Sequence, residues 1–131
     1  MLAARTATHH VNVSVLAPAC RHAFVGGRIF AAERSARLGW SMMRRVVHAM
    51  GSPLVPIVRL ARDRQLLNAA VRSPLDAASL WLHAYALAFC HAAGEVTGLL
   101  FGAVDQVPVY SNFECRRARF VRAADVELLE A

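Results

Sequence analysis

A chain of 131 residues is long enough for one small domain and too short for two independent cores. Hydrophobic residues make up 56% of it, more than the roughly 45–50% of a typical soluble domain, so some apolar surface is expected to face lipid or a partner. The formal net charge is +6, all fifteen basic residues are arginine, and nine of these lie in residues 21–64, which favours contact with anionic headgroups, phosphates or nucleic acid.

The cysteines and the N-terminus bear on the cellular compartment. Cys20, Cys90 and Cys115 are an odd number without paired spacing, so a disulfide framework and a cysteine-based zinc site are both disfavoured. The histidines at positions 9, 10 and 22 match no tetrahedral template either, and no metal ion is predicted. The first ten residues lack the apolar core of a secretory signal. The sequence therefore predicts a reducing compartment.

The chain begins with a short strand pattern. Val11, Val13 and Val15 alternate with polar residues, which is the two-residue period of a half-buried strand. Only residues 107–110 and 113–120 have a similar character. Because one strand is not a sheet, the N-terminal strand is expected to need neighbours from outside this chain.

Three basic helices are predicted next, over residues 18–37, 41–50 and 57–71. Ser41 is suited to cap the second of them and Gly51 to end it. The third carries a leucine on its charged side and an arginine on its apolar side. An interfacial helix, with arginines extending to water, fits this pattern better than a soluble amphipathic helix.

Residues 77–104 form a long apolar segment whose only formal charge is Glu95, and which is long enough to cross a bilayer. Its apolar residues contribute roughly −3 to −5 kcal/mol to insertion, and one central carboxylate opposes this by about 3 kcal/mol. Arginines on both sides draw both ends towards the cytoplasm. A single crossing, a re-entrant hairpin and an interfacial helix therefore all stay open.

Two motifs lie within this segment. Gly94, Gly98 and Gly102 recur every four residues, which favours close packing against a neighbouring helix. His91 and Glu95 lie four residues apart on the same face and form a candidate intramembrane polar pair. We expect this pair to be satisfied at a protein–protein contact rather than to transfer protons.

The sequence offers no enzyme motif. It has no glycine-rich phosphate loop, no Gly-x-Ser-x-Gly and no paired acidic motif, so neither a catalytic residue nor a cofactor is predicted in this chain. The Arg44-Arg45 pair and residues 113–120 are compatible with nucleic-acid binding. Beside a long apolar segment, however, the same charges match anionic lipid more naturally.

In order, several segments resemble the C-terminal portion of bacterial family 2 glycosyltransferases, from about His9 to Phe120. They are HHVNVSVL, GRIFAAERSARLGW, MRRVVHAMGSPLVPIVRLAR, HAAGEVTGLLFG and ECRRARF. The resemblance implies roles by position: His10 and Asn12 end the last strand of a nucleotide-sugar domain, Gly27 and Arg28 lie in the next helix, Pro53 and Pro56 mark where the chain meets the membrane, and Gly94 and Glu95 lie in the terminal apolar helix. The family's metal-binding and catalytic motifs would lie upstream, so transferase activity by this chain alone is not implied.

The expected fold is mainly α, with several interfacial helices, one long apolar helix and a short N-terminal strand that would belong to a missing α/β nucleotide-sugar domain. The expected organisation is a remnant strand over residues 1–15, a basic interfacial region over 16–72, an apolar membrane-associated helix over 73–104 and a basic C-terminal tail over 105–131.

The expected function is a membrane-docking, acceptor-side C-terminal module of a family 2-like glycosyltransferase, at the cytoplasmic face of the membrane and without activity of its own. Arg28, Arg34, Arg44 and Arg45 are the candidates to hold a lipid phosphate or acceptor. The expected partners are membrane lipid and either a separate catalytic polypeptide or a second copy of this chain. The alternative is a small non-enzymatic helical protein of the membrane or of an oligomer assembled through the glycine face.

Overall fold

The computed structural model describes residues 14–69 and 73–123. Within them the chain forms five α-helices and one short 3-10 helix and no strand, so the mainly α prediction is confirmed. The elements are α1 Leu16–Arg37, α2 Met42–Gly51, α3 Leu54–Ala69, α4 Pro74–Phe101, α5 Gln106–Cys115 and the 3-10 helix Arg117–Phe120. His9, His10 and Asn12, with most of the predicted strand, lie outside the described residues.

Helix α4 is the central element, and its ends follow from local chemistry. Ser73 caps its start, because its hydroxyl accepts a hydrogen bond from the Asp76 backbone N–H at 3.2 Å. Pro74 occupies the first turn, where its missing N–H costs nothing. Gly102 ends the helix with a φ of 74°, a left-handed conformation that glycine adopts without strain.

Helices α1 and α4 pack with their backbones in direct contact. A β-carbon at Gly94 would overlap the carbonyl oxygen of Phe24, and one at Gly98 would overlap that of Arg28. From α1, a β-carbon at Gly27 would overlap a backbone oxygen of α4 in the same way. Because the contacting positions rise together along both helices, α1 and α4 run parallel. We call this contact the glycine seam.

Two further pairings, of α3 with α4 and of α5 with α1, are antiparallel. Ser52, just before α3, contacts Glu95 late in α4, whereas Asn68 at the end of α3 accepts a hydrogen bond from Trp81 early in α4, at 3.3 Å. Helix α5 runs antiparallel to α1. The backbone N–H of Ser14, before the start of α1, donates to the Phe120 carbonyl, after the end of α5, at 3.1 Å. Helix α4 is therefore covered by α1 on one side and by α2 and α3 on another.

The hydrophobic core is small. Its buried members are Ala31, Trp40, Ala49 and Leu99, with Val96 and Leu100 packed against them. Helices joined through glycine and alanine bring few large side chains inside, so many large apolar residues remain on the surface. The molecule thus keeps the surplus of apolar surface that its composition predicts.

The structure corrects the expectation of strand-like structure after residue 104. The strand-like character of residues 107–110 was misleading, because these residues lie in α5 with Pro108 in its first turn, where proline is tolerated. Residues 113–120 end α5 and form the 3-10 helix. In the described part, the predicted C-terminal tail is therefore helical and packs on α1.

Candidate anion-binding and membrane-interaction site

Three of the four arginines predicted to hold a phosphate surround one tryptophan. The guanidinium carbons of Arg34 and Arg44 lie 5.1 and 4.8 Å from the centre of the Trp40 ring, within the range of a cation–π interaction. Arg45 donates from Nε to the Trp40 carbonyl at 3.2 Å. The His48 ring stacks on Trp40 with 4.1 Å between ring centres. We call these five residues the Trp40 cluster.

A tight turn between α1 and α2 assembles the cluster. Gly39 takes a φ of 59°, and the Trp40 backbone N–H donates to the Ser35 carbonyl at 2.9 Å, which closes the end of α1. Ser41 then caps α2, accepting a hydrogen bond from the Arg44 backbone N–H at 3.4 Å. The first turn of α2 has no acidic residue. The positive end of its dipole therefore adds to the arginine charges.

Two donors in the Trp40 cluster are buried without an acceptor. Neither Trp40 Nε1 nor Arg34 Nε makes a hydrogen bond within residues 14–69 and 73–123, and Trp40 is only 7% exposed. Both groups donate and cannot accept, so each requires an acceptor from a ligand or from water. An anion beside these arginines supplies such acceptors with matching charge.

Arg28, the fourth candidate, lies apart from this cluster. Its Nε donates to the Gly102 carbonyl at 2.7 Å and so caps the C-terminal end of α4. A cation at that position also opposes the negative end of the helix dipole. The structure therefore gives Arg28 a structural contact, away from the other three candidates.

Apolar side chains project outward from α2, next to the Trp40 cluster in sequence. Met42, Met43, Val46, Val47 and Met50 are all exposed, with Met43 and Met50 at 74% and 77%. At about 100° per residue they share one half of the helix circumference. Ala49, on another side, is buried in the core. This arrangement leaves one whole apolar face of α2 open to the surroundings.

Helix α3 extends the exposed apolar surface. Leu54, Val55, Ile57 and Val58 are more than half exposed, while Leu60 faces inward and is buried. Arg59 and Arg62 lie beside them along a shallow groove. Together the outward sides of these two helices, which we call the α2–α3 apolar face, combine large hydrophobic side chains with arginines that reach to water.

Among the described residues, α4 is the one helix that is long and apolar enough to cross a membrane, judged by length and composition only. Its N-terminal half is poorly covered, and Leu75 and Leu82 are 84% and 64% exposed. Trp81, Tyr85 and Phe89 follow one another along it with ring centres 5.6 and 6.4 Å apart. Tryptophan and tyrosine are typical of membrane interfaces.

In the predicted polar pair, Glu95 is buried inside the chain, whereas the His91 side chain is 40% exposed. His91 Nδ1 lies 3.6 Å from Glu95 Oε1, and the Ser52 hydroxyl donates to Glu95 Oε2 at 3.5 Å. Glu95 is 8% exposed and Ser52 3%. Ser52 and His91 both contact the Glu95 carboxylate and do not contact each other. They therefore do not form the serine–histidine hydrogen bond that activates a nucleophile. Ser52 was missed at the sequence level, since it belongs to a different helix junction.

The glycine face of α4 is occupied by α1 of the same chain. Gly94 and Gly98 lie in the glycine seam, whereas Gly102 ends α4 and has open space around it. Helix α1 carries a matching repeat of small residues that was not predicted from the sequence, since Gly27, Ala31 and Ser35 are all buried. This seam leaves no room for a second copy of the chain at the face that the oligomeric alternative requires.

No group of three or more histidine, cysteine, aspartate or glutamate side chains in the described ranges is placed to hold a metal ion. Comparison with protein-family models, curated proteins and solved structures finds no match to this chain.

Proposed function

We propose that this chain is a membrane-docking module that lies at a bilayer interface, with the α2–α3 apolar face in the lipid and an anionic lipid phosphate at the Trp40 cluster. The observation that carries the proposal is the exposed apolar side of α2, a helix that also carries Arg44 and Arg45 and directly follows Trp40, whose indole N–H has no acceptor among the described residues. A hydrophobic face and a basic patch are the two signals that together give stable interfacial binding.

The energetics favour this placement. Burying one large apolar side chain contributes about 1.5–3 kcal/mol when burial is complete, and α2 offers five exposed ones. Each arginine near an anionic surface adds about 1 kcal/mol. Even partial burial of the α2–α3 apolar face therefore exceeds the binding of a single acyl chain, which is marginal alone.

An interfacial position also suits the glycine seam better than a full crossing. Because the α1 and α4 backbones touch, lipid cannot separate them, and α1 must follow α4 to any depth. Helix α1 brings five charged residues: Arg21, Arg28, Glu33, Arg34 and Arg37. Each charge at the bilayer centre costs about 2.5–3.5 kcal/mol. Lying along the headgroup region avoids that cost.

The resemblance to the C-terminal portion of family 2 glycosyltransferases supplies the proposed context. The module would lie at the cytoplasmic face of the membrane, on the acceptor side of an enzyme whose catalytic domain is a separate polypeptide or segment. The test is to translate the DNA flanking this reading frame for a nucleotide-sugar domain with acidic motifs. Finding none removes the glycosyltransferase context and leaves the docking role untouched.

The docking role is tested by cosedimentation of the full chain with vesicles of phosphatidylcholine, alone or with phosphatidylglycerol. We expect binding to both, tighter to the anionic vesicles. Replacing Met43 and Met50 with serine is expected to lower binding to both vesicle types. Arg44→Gln is expected to weaken binding to the anionic vesicles about fivefold and to leave binding to neutral vesicles unchanged.

Arg37→Gln is the matched control, because Arg37 is also exposed, lies at the end of α1 and pairs with Glu33 at 3.8 Å, outside the Trp40 cluster. Recovery of the chain in the supernatant with anionic vesicles would sink the docking role. An equal loss of binding in Arg37→Gln and Arg44→Gln would show that the net positive charge of the chain, and not a specific site at the Trp40 cluster, binds the anionic lipid.

A further inference from the structure

Four aromatic rings stack in a column between α1, α5 and the 3-10 helix. His22 lies between Tyr110 and Phe113 with 4.4 Å between ring centres on each side, and Phe113 stacks on Phe120 at 4.8 Å. Burial lowers the pKa of His22, and the negative charge of Glu114 acts in the opposite direction. We call these four rings the ring column. It forms a wall on the side of α1 that faces α5.

A cleft of about 610 Å³ opens beside the ring column, within the roughly 300–1,000 Å³ of small-molecule sites. Its lining includes apolar side chains from both helices, such as Pro18, Val25 and Val109. It also includes three exposed arginines, at positions 21, 116 and 119. The cleft therefore joins an apolar interior to a cationic rim.

No carboxylate lines this cleft, and none of its three arginines forms an ion pair with another residue of the described ranges. The nearest acid along the chain, Glu114, contacts His22 at 2.8 Å and Arg117 instead. Because Glu114 pairs with His22 and Arg117, it does not neutralise the three arginines of the cleft. Their positive charge is therefore available to a ligand.

We propose that this cleft binds an organic phosphate, with Arg21, Arg116 and Arg119 holding the phosphate and the apolar walls holding the carbon body. Planar guanidinium groups suit the several oxygens of a phosphate better than a single point charge would. A volume of about 610 Å³ exceeds what inorganic phosphate fills, and the apolar lining requires a hydrophobic part on the ligand. The site shares no residue with the Trp40 cluster or the α2–α3 apolar face.

The test measures binding of 1-naphthyl phosphate to the full chain in phosphatidylcholine nanodiscs by isothermal titration calorimetry, with 1-naphthol and inorganic phosphate as comparison ligands. We expect saturable binding of the ester and much weaker binding of the other two. Arg116→Gln and Arg119→Gln should each weaken it about tenfold. Arg122→Gln is the control, because it removes the same charge from an exposed neighbour that does not line the cleft.

Val109→Asp provides a second variant, which places a negative charge on the apolar wall at an exposed position of α5. It should abolish binding of the ester while the helical circular dichroism stays unchanged. Adding phosphatidic acid to the nanodiscs identifies the source: competition with the ester points to a lipid headgroup, and its absence to a soluble ester. Equal binding of 1-naphthol, or an equal loss in Arg122→Gln, overturns the proposal.

Discussion

At the scale of single residues, three glycines determine how the helices meet. Gly27, Gly94 and Gly98 each face a backbone atom of the opposite helix where a β-carbon would fit only by overlap. Backbone atoms cannot move aside as a flexible side chain can, so the whole helix would have to shift. Stability therefore depends on the absence of side chains at these positions.

Gly98→Ala is expected to destabilise the fold by about 2–3 kcal/mol, because one added carbon forces α1 away from α4. Denaturant unfolding followed by circular dichroism measures the loss. Gly51→Ala is the matched control, since Gly51 is helical and has no neighbouring atom within 4 Å of an added β-carbon. It should be neutral or stabilising by up to about 1 kcal/mol. Equal stabilities of the two variants would contradict the seam.

The sequence identified some of these residues and not others. The four-residue spacing made Gly94 and Gly98 visible, and the charge run pointed to Arg34, Arg44 and Arg45. Trp40 was not recognised as their centre, because its position depends on the turn at Gly39, which no periodic pattern reports. Ser52 was missed for a related reason: its partner Glu95 lies 43 positions away.

At the scale of elements, α2 has two different sides with two different tasks. One side buries Ala49 in the core, and another exposes Met43 and Met50. Its first turn adds the N-terminal end of a helix dipole to the arginines of the Trp40 cluster. A change at the cap of α2 should therefore affect both the stability of the helix and its affinity for anions.

Ser41→Asp keeps a capping side chain and adds a carboxylate at the positive end of α2. We expect it to stabilise the fold by about 0.5–1 kcal/mol and at the same time to weaken binding to anionic vesicles severalfold, because the carboxylate occupies the Trp40 cluster in place of a lipid phosphate. Ser41→Asn caps without charge and should leave vesicle binding unchanged. Parallel unfolding and cosedimentation measurements check both effects, and unaltered vesicle binding in Ser41→Asp would contradict the assignment.

Element prediction succeeded where caps and prolines were explicit. The second helix begins one residue after its predicted cap at Ser41, and the long apolar helix, Pro74–Phe101, lies within the predicted range 73–104. Helix α5 was missed because Val107, Val109 and Tyr110 have high strand propensity. Packing of that segment on α1 outweighs the propensity, which is a tertiary effect that a local pattern does not contain.

At the scale of the whole molecule, the fold is defined by the parallel direction of α1 relative to α4. The repeats of small residues on the two helices are equally compatible with parallel and antiparallel packing when each is considered alone. The parallel arrangement follows from the chain between them, since α2 and α3 carry it back along α4. The sequence thus predicted that α4 has a close neighbour, but not which helix it is.

The parallel register places Cys20 beside Cys90. A reagent that bridges two neighbouring thiols is therefore expected to join Cys20 to Cys90. Burial raises the pKa of the Cys20 thiol above that of an ordinary cysteine. Because the thiolate is the reactive form, the rate of bridging should rise with pH, and at higher pH than for an ordinary cysteine. Mass spectrometry of the digested product identifies the bridge.

Cys115 provides the control, because it is exposed and should react only singly. Cys115→Ser should leave the bridge intact, and Cys20→Ser should abolish it. Failure to form the Cys20–Cys90 bridge, with both thiols modified singly, would contradict the parallel packing of α1 and α4.

The glycine seam also has a consequence for biosynthesis. Arg28 and Gly102, which contact each other across it, are 74 positions apart in the chain. At about 5–20 residues per second, Arg28 leaves the ribosome roughly 4–15 s before Gly102 does. Throughout that interval the buried face of α1 has no partner, so lipid or a chaperone must shield it before α4 arrives.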